Sequence, residues 1–208
     1  MKTLIDRSKW DREEVFSYFL NYENPFFTLS AEIDVSGAYR QAKEQGESFF
    51  ILSLHRIMTA LHSIENLRYR LDGEKVYLYD KVQVGPTIGR PDGSFGFSYM
   101  EYFEDYTQFR DNAKAVIERV RNMKGLNVAP DNYRPDMCYF TTVPWISLTQ
   151  IIQPRRGGNG IGAPCVATSK LKHENGKVIM PISITAHHSL ADGKHGADFL
   201  LKAEELMK

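Results

Sequence analysis

The sequence predicts a protein of the α+β or α/β class, in which several helices pack on one β-sheet. Two observations predict it. Several short segments alternate apolar and polar residues, as strands do, and the clearest is Phe26–Val35. Longer segments, such as Tyr106–Met123, carry apolar residues at helical spacing. The sequence shows no internal repeat, low-complexity tract or linker, so we expect a single domain over residues 1–208.

The first half of the chain begins with a short helix. Ser8 or Asp11 can cap its N-terminus, and acidic residues follow in its first turn. The strand Phe26–Val35 comes next. Two further helices are then predicted, a polar one at Gly37–Gln45 and a largely apolar, buried one at Phe50–Ile64.

The middle of the chain contains the clearest hairpin. The turn Asp72-Gly73-Glu74 joins Arg68–Leu71 to Lys75–Tyr79. The strands Val82–Ile88 and Ser94–Tyr102 follow, and the helix Tyr106–Met123 comes after them.

The last third returns to strands and ends in a helix. Strands are predicted at Met137–Thr142, Pro164–Lys170 and Lys177–His188. The last of these alternates well, with one apolar face formed by Val178, Met180, Ile182, Ile184 and Ala186. The final helix follows Gly193, with an apolar stripe predicted at Ala197, Leu200, Leu201 and Leu206.

The most informative stretch lies between this strand and this helix. His188 continues the apolar row of the strand, and Asp192 follows four residues later beside Gly193. An imidazole placed where a buried strand gives way to a turn is suited to proton transfer. Three other interpretations stay open: a core histidine, an Asp192 that only caps the last helix, and a metal site formed by His188, Asp192 and His195.

Composition narrows the class of function. Lys plus Arg and Asp plus Glu each number 26, so no overall field favours nucleic acid or an anionic membrane. Cys138 and Cys165 both lie in apolar segments, which is typical of reduced core residues in a cytosolic protein. The N-terminus has no hydrophobic signal segment, and no stretch approaches roughly eighteen consecutive apolar residues. We therefore expect a cytoplasmic protein with no nucleic-acid or membrane partner.

Motifs spread over nearly the whole chain resemble the chloramphenicol acetyltransferases. They are Trp10–Phe16, Phe26–Val35, Pro144-Trp145, Ala163-Pro164, Val178–Ile182, His187-His188 and Asp192–His195. The resemblance implies the CoA-dependent acyltransferase fold, a two-layer sandwich of a mixed β-sheet with helices packed on it. It also implies a homotrimer with active sites at subunit interfaces, acetyl-CoA as cosubstrate with no tightly bound cofactor, and a small-molecule hydroxyl acceptor.

The same resemblance assigns roles to four residues of the reaction. His188 would be the general base that takes the proton from the acceptor hydroxyl. Asp192 would pair with Arg12 and tie the turn to the N-terminal helix. Thr141 stands where the family has a serine, and its hydroxyl would stabilise the tetrahedral oxyanion.

Other residues are assigned to binding in the same way. Trp145 would line the CoA tunnel, and Lys170 would lie near the CoA phosphates. Phe19, Phe27 and Phe95 would contribute to the acceptor pocket.

Four positions depart from the family pattern. Glu23 and Gln153 stand where the drug-modifying enzymes place leucines against chloramphenicol, and a carboxylate beside an apolar drug is unfavourable without a partner. Ala167 replaces a threonine that positions water, and Ser48 replaces a lysine associated with CoA phosphate. The sequence therefore predicts acetyl transfer, by a ternary-complex mechanism without an acyl-enzyme, more firmly than it predicts chloramphenicol as the acceptor. The alternatives are an acyltransferase with another acceptor, a trimeric binding protein without turnover, and, least favoured, a metal hydrolase.

Overall fold

A computed structural model describes residues 1–128, 134–154 and 160–208 of the chain. Five α-helices occur in these residues: α1 (Glu13–Leu20), α2 (Ser36–Glu44), α3 (Phe49–His62), α4 (Tyr106–Asn122) and α5 (Gly193–Met207). The strands are β1 (Lys2–Leu4), β2 (Phe26–Asp34), β3 (Tyr69–Asp72), β4 (Lys75–Tyr79), β5 (Gln83–Gly89), β6 (Phe95–Phe97), β7 (Met137–Val143), β8 (Cys165–Ser169), β9 (Lys172–Glu174) and β10 (Lys177–His187).

The main sheet is mixed and has seven strands. Its order is β2-β10-β8-β7-β5-β6, and β9 pairs with β10 outside this path. The pairs of β10 with β2 and β8 are antiparallel, whereas β8, β7 and β5 run parallel to one another. The predicted mixed sheet with helices is therefore confirmed.

The helices α2 to α5 cover one face of this sheet. They share a hydrophobic core with the inward-facing residues of the strands, among them Val84, Phe140, Val166 and Ile184. Smaller and more polar residues, such as Thr141 and Ser183, alternate with these along the strands and belong to the opposite face. Because the apolar strand residues pack on the helices, the alternate residues of each strand point to the opposite face of the sheet, where they can contact a substrate.

A second, smaller sheet lies beside the first and has the order β1-β4-β3. It packs with α1 around a separate cluster of buried residues, Phe16, Leu20, Tyr69, Leu71, Val76 and Leu190. Leu190 belongs to the turn after β10, so this cluster joins the N-terminal helix to the predicted catalytic stretch.

Several local predictions were wrong. The first helix begins at Glu13 with Arg12 at its N-cap and no side-chain cap, so neither Ser8 nor Asp11 caps it. The strand predicted at Ser94–Tyr102 is regular only over Phe95–Phe97, where the N–H of Phe97 donates to the carbonyl of Leu126 and not to β5. The chain then returns to β5 through an isolated antiparallel bridge between Met100 and Val84.

The apolar stripe of α5 was predicted correctly only in part: Leu200 is buried and Leu206 packs against the main core, but Ala197 is exposed. Leu201 is 64% exposed, and the buried residues are Gly196, Phe199, Leu200, Ala203 and Met207. A Cβ atom on Gly196 would lie 2.7 Å from Cδ1 of Leu29, so the helix packs its glycine against β2. This close approach sets the rotation of the helix, and periodicity alone did not predict it.

Candidate active site

The imidazole of His188 lies between two aromatic rings. It stacks on Phe19 of α1, with ring centroids 3.9 Å apart and planes 9° apart, and its centroid is 4.9 Å from that of Phe27 on β2. The backbone N–H of His188 donates to the carbonyl of Pro25 at 2.7 Å, which fixes the residue against the α1–β2 connection. Both rings are residues that the sequence analysis assigned to the acceptor pocket.

The neighbouring histidine has a different environment. His187 is 1% exposed, its Nδ1 accepts the N–H of Ser189 at 3.2 Å, and its ring meets Phe26 edge-on at 4.9 Å. His188 is only half-buried, although its Nδ1 is enclosed and has no hydrogen-bond partner among the described residues. Of the two rings, only that of His188 is placed to meet a small molecule.

Arg12 holds the turn that carries His188. Its Nη1 donates to Asp192 at 2.8 Å, its Nη2 to the carbonyl of His188 at 2.8 Å, and its Nε to the carbonyl of Ser189 at 2.9 Å. The planar guanidinium satisfies three acceptors at once, which a lysine could not do in the same geometry. Arg12 and Asp192 are therefore brought together as the resemblance implied.

Asp192 also caps α5, as one of the other interpretations held. Its carboxylate accepts the N–H of Lys194, and the backbone N–H of Asp192 donates to Nδ1 of His195 at 3.1 Å. Burial raises the pKa of Asp192, but the hydrogen bond from Arg12 and the charges of His195 and Arg12 outweigh it, so the pKa lies below its usual value. Burial lowers the pKa of His195. The capping role and the ion pair thus coexist on one carboxylate.

The metal interpretation finds no support in this geometry. His195 is engaged with Asp192 through its Nδ1. Across residues 1–128, 134–154 and 160–208, the structure contains no group of three or more His, Cys, Asp and Glu side chains placed to hold a metal ion.

A second group of predicted residues lies at the carboxyl ends of β7 and β8. Thr141 is half-buried near the end of β7, and Trp145 follows in the next turn, 77% exposed. The N–H of Lys170, just after β8, donates to the carbonyl of Ile146 at 3.1 Å. Phe95, 45% exposed, occupies the neighbouring edge of the sheet on β6, where it pairs with Gly89.

The two groups do not meet within one chain. Thr141 is in register with Ala167, and Ala167 is in register with Ser183. His187, at the end of β10, lies four residues beyond Ser183 and two strands away from Thr141, which separates them by roughly 15 Å or more. Thr141 and His188 therefore occupy opposite ends of the sheet.

The four positions that depart from the family pattern lie in different parts of the structure. Glu23 is exposed in the α1–β2 connection, two residues before Pro25. Nε2 of Gln153 is buried without a hydrogen-bond partner in the described part of the chain. Ser48 is the N-cap of α3 and accepts the N–H of Ile51 at 3.4 Å, and Ala167 is 2% exposed beside Thr141 in the sheet.

Sequence reasoning missed two supports of the His188 turn. One is the carbonyl of Pro25, and the other is Asn66, whose Nδ2 donates to the carbonyl of Leu190 at 2.9 Å across 124 positions of sequence. Neither residue belongs to a local motif, so no pattern in the sequence indicated them.

Comparison with known proteins decides the family. The sequence matches the family model of chloramphenicol acetyltransferase over residues 1–204. The chain belongs to the chloramphenicol acetyltransferase family.

Relatives of this family match the chain almost end to end. The chloramphenicol acetyltransferase of Staphylococcus aureus is 27% identical over 208 residues, covering 97% of this chain and 94% of the relative. Chloramphenicol acetyltransferase 3 of Escherichia coli is 23% identical over 208 residues, covering 98% and 96%. A solved chloramphenicol acetyltransferase is 28% identical, covers both chains completely and superposes with a TM-score of 0.93.

A more distant structure shares the fold alone. The dihydrolipoamide acetyltransferase of Azotobacter vinelandii superposes with a TM-score of 0.66 at 17% identity, over 93% of this chain and 84% of the other. This member of the chloramphenicol acetyltransferase family is accordingly an acyltransferase with the CoA-dependent acyltransferase fold. Among its described residues, no helix has the length and apolar character needed to cross a membrane.

Proposed function

We propose that the enzyme transfers an acetyl group from acetyl-CoA to a hydroxyl of chloramphenicol or a similar small molecule, with His188 as general base. The observation that carries this proposal is the setting of the His188 imidazole. The ring is stacked on Phe19, and its turn is held by Arg12 and Asp192. A general base fixed in this way contributes about 10² to 10⁴ in rate.

The reaction follows from these groups. Nε2 of His188 takes the proton of the acceptor hydroxyl as its oxygen attacks the thioester carbonyl, and a tetrahedral intermediate with a negatively charged oxygen forms. The Thr141 hydroxyl donates a hydrogen bond to that oxygen. The intermediate then collapses, the C–S bond breaks, and the imidazolium returns its proton to the leaving thiolate of CoA. No acyl-enzyme forms, because both substrates react while bound together.

The separation of His188 from Thr141 supports an active site shared between subunits. Each chain would supply His188 to one site and Thr141 to another, as a homotrimer allows. Trp145 and Lys170 lie on the Thr141 side, where they would line the CoA tunnel and approach the CoA phosphates. Phe19 and Phe27 contact His188, and with Phe95 from the other side they would line the acceptor pocket.

The acceptor need not be chloramphenicol. Glu23 and Gln153 would add a carboxylate and an amide to this pocket, and both prefer a polar group on the acceptor. A hydroxyl compound with hydrogen-bonding substituents is the second candidate. The protein would act in the cytoplasm, in keeping with its two reduced cysteines.

Release of free thiol from acetyl-CoA, measured with chloramphenicol and a panel of other hydroxyl compounds, tests the proposal. We expect turnover of at least one acceptor and a fall of about three orders of magnitude in His188→Ala, with the oligomer intact. His173→Ala, which removes an exposed histidine on β9, is the matched control and should leave the rate unchanged.

Each rival predicts another result. Turnover of other acceptors but not of chloramphenicol would identify an acyltransferase with a different substrate. No thiol release with any acceptor, or equal rates in the wild type and His188→Ala, would favour a binding protein and contradict the proposal.

A further inference from the structure

The turn after β10 has an unusually complete set of backbone partners. Each of its successive carbonyl groups accepts a hydrogen bond: that of His187 from Leu190 and Ala191, those of His188 and Ser189 from Arg12, and that of Leu190 from Asn66. The side chains of Arg12 and Asn66 thus hold the turn from two directions. The contact of Asn66, with Nδ2 donating at 2.9 Å, has no part in the reaction described above.

Asn66 stands on a rigid support. It belongs to a short 3-10 helix, Glu65–Arg68, between α3 and β3. Leu67 beside it is 1% exposed in the main core, and the hydroxyl of Tyr69 donates to the carboxylate of Glu65 at 2.6 Å. The guanidinium of Arg70 donates to the carbonyl of Leu67 at 2.9 Å. Asn66 therefore holds the turn against the body of the protein.

The carbonyl that Asn66 binds has little access to water. Leu190 is 2% exposed and packs in the second hydrophobic cluster. A Cβ atom on Gly162 would lie 2.6 Å from Cδ1 of Leu190, so the side chain is also closely confined. Without the amide of Asn66 the carbonyl would lose its partner, and a buried carbonyl in that state moves toward another donor or toward water. Such movement would reach His188, two residues earlier.

We propose that Asn66 is a positioning residue of this enzyme, which fixes the His188 turn so that the imidazole stays stacked on Phe19. Asn66 touches neither substrate and acts through the carbonyl of Leu190. The expected effect of Asn66 on the reaction rate rests on the proposed function. Its expected effect on the position of the His188 ring does not depend on that function.

The kinetic arm of the test compares two substitutions with a matched control. Asn66→Ala removes the amide, and Asn66→Asp keeps its shape but removes the donor. We expect either change to lower kcat about tenfold, with the KM of both substrates within about twofold, because small misplacements of a reacting group reduce rates steeply. Asn112→Ala is the control: this asparagine of α4 also binds a backbone group, the N–H of Glu101 at 3.2 Å, far from the turn.

The second arm needs no activity. Diethyl pyrocarbonate modifies histidine rings, and peptide mass spectrometry gives the rate at each residue. In both Asn66 variants we expect the rate at His188 to change at least threefold while the rate at the exposed His173 stays constant, and in Asn112→Ala we expect both rates to match the wild type.

The outcomes separate the two proposals. If the wild type releases no thiol with any acceptor, the acetyl-transfer proposal fails and the modification rates still decide the role of Asn66. Unchanged modification of His188 in both Asn66 variants would overturn the positioning role. So would a kcat loss shared by Asn112→Ala, or unfolding of both Asn66 variants while the control folds, since Asn66 would then be a general structural residue.

Discussion

At the scale of single residues, four histidines of this chain show how environment decides the role of one side chain. His187 and His188 are adjacent, yet one is sealed inside the sheet and the other lies at the surface of a turn between Phe19 and Phe27. His195 supports the cap of α5. His62 is a fourth case, a histidine enclosed in the core for stability.

The ring of His62 is satisfied as a neutral group. Its Nδ1 donates to the carbonyl of Met58 at 2.7 Å, its Nε2 accepts the N–H of Val82 at 3.0 Å, and it stacks on Tyr102 at 4.1 Å. Burial lowers the pKa of His62 to about 4. A protonated ring would place a second N–H against that of Val82. His62 therefore binds a proton less readily in the folded state than in the unfolded chain.

We therefore predict that His62 makes stability depend on pH. Because the folded pKa lies below the unfolded value, this contribution is complete above about pH 6.5 and is lost progressively toward pH 4, at up to ~1.4 kcal/mol per pH unit. The test compares the wild type with His62→Gln, which keeps a donor and an acceptor without the charge, by urea unfolding at pH 7 and pH 5. Between these two pH values, the free energy of unfolding of the variant should fall by about 2 kcal/mol less than that of the wild type. Other titrating groups are common to both proteins, so equal losses would refute the assignment.

At the scale of secondary-structure elements, β5 depends on a glycine in the interior of the sheet. A Cβ atom on Gly85 would lie 2.4 Å from Cε of Met137 and 3.1 Å from the carbonyl oxygen of Ser98. Met137 is 1% exposed, so its terminal methyl group could move only within the core, and the Ser98 carbonyl belongs to the backbone. Gly89, at the end of the same strand, has no heavy atom within 4 Å of the corresponding position.

The two glycines make a matched pair for substitution. Gly85→Ala should lower the free energy of unfolding by about 1–3 kcal/mol, because the extra methyl group overpacks a filled region. Gly89→Ala should be neutral or raise the free energy by up to about 1 kcal/mol, since alanine restricts the unfolded chain more than glycine does. Urea unfolding measures both, and equal effects would show that the close approach at Gly85 relaxes without cost.

At the scale of the whole molecule, the proposed function depends on the separation of His188 from Thr141. The strand register places them at opposite ends of the main sheet. A chain that acts alone would then hold two incomplete sites. A site between two chains would be complete, because one chain would supply the base and the other would supply the hydroxyl.

A mixing experiment tests this arrangement. His188→Ala and Thr141→Ala should each be severely impaired when assayed separately, the second by about 10² to 10³. When equal amounts are unfolded and refolded together, random assembly should give about one quarter of the sites an intact His188 and an intact Thr141 from different chains. The mixture should therefore recover a comparable fraction of wild-type thiol release. Activity no greater than the sum of the separate variants would mean that no site is shared.

Features that depend on short-range patterns could be predicted from the residues alone. Alternation along Lys177–His188 predicted the strand, which ends at His187, and its apolar face. The turn with Asp192 and Gly193 predicted the start of the last helix. The resemblance of distant motifs supplied the pairing of Arg12 with Asp192 and the fold. These signals are readable because strand and helix periods are local, and because motifs keep their order along the chain.

Contacts between distant residues became apparent only in the folded chain. Stacking of Phe19 on His188, the hold of Asn66 on Leu190 and the distance from His188 to Thr141 all join residues far apart in sequence. The rotation of α5 was likewise set by the approach of Gly196 to Leu29 and not by its own apolar period. The physical reason is the same in each case: close packing and strand register fix distances between elements, and no single segment contains that information.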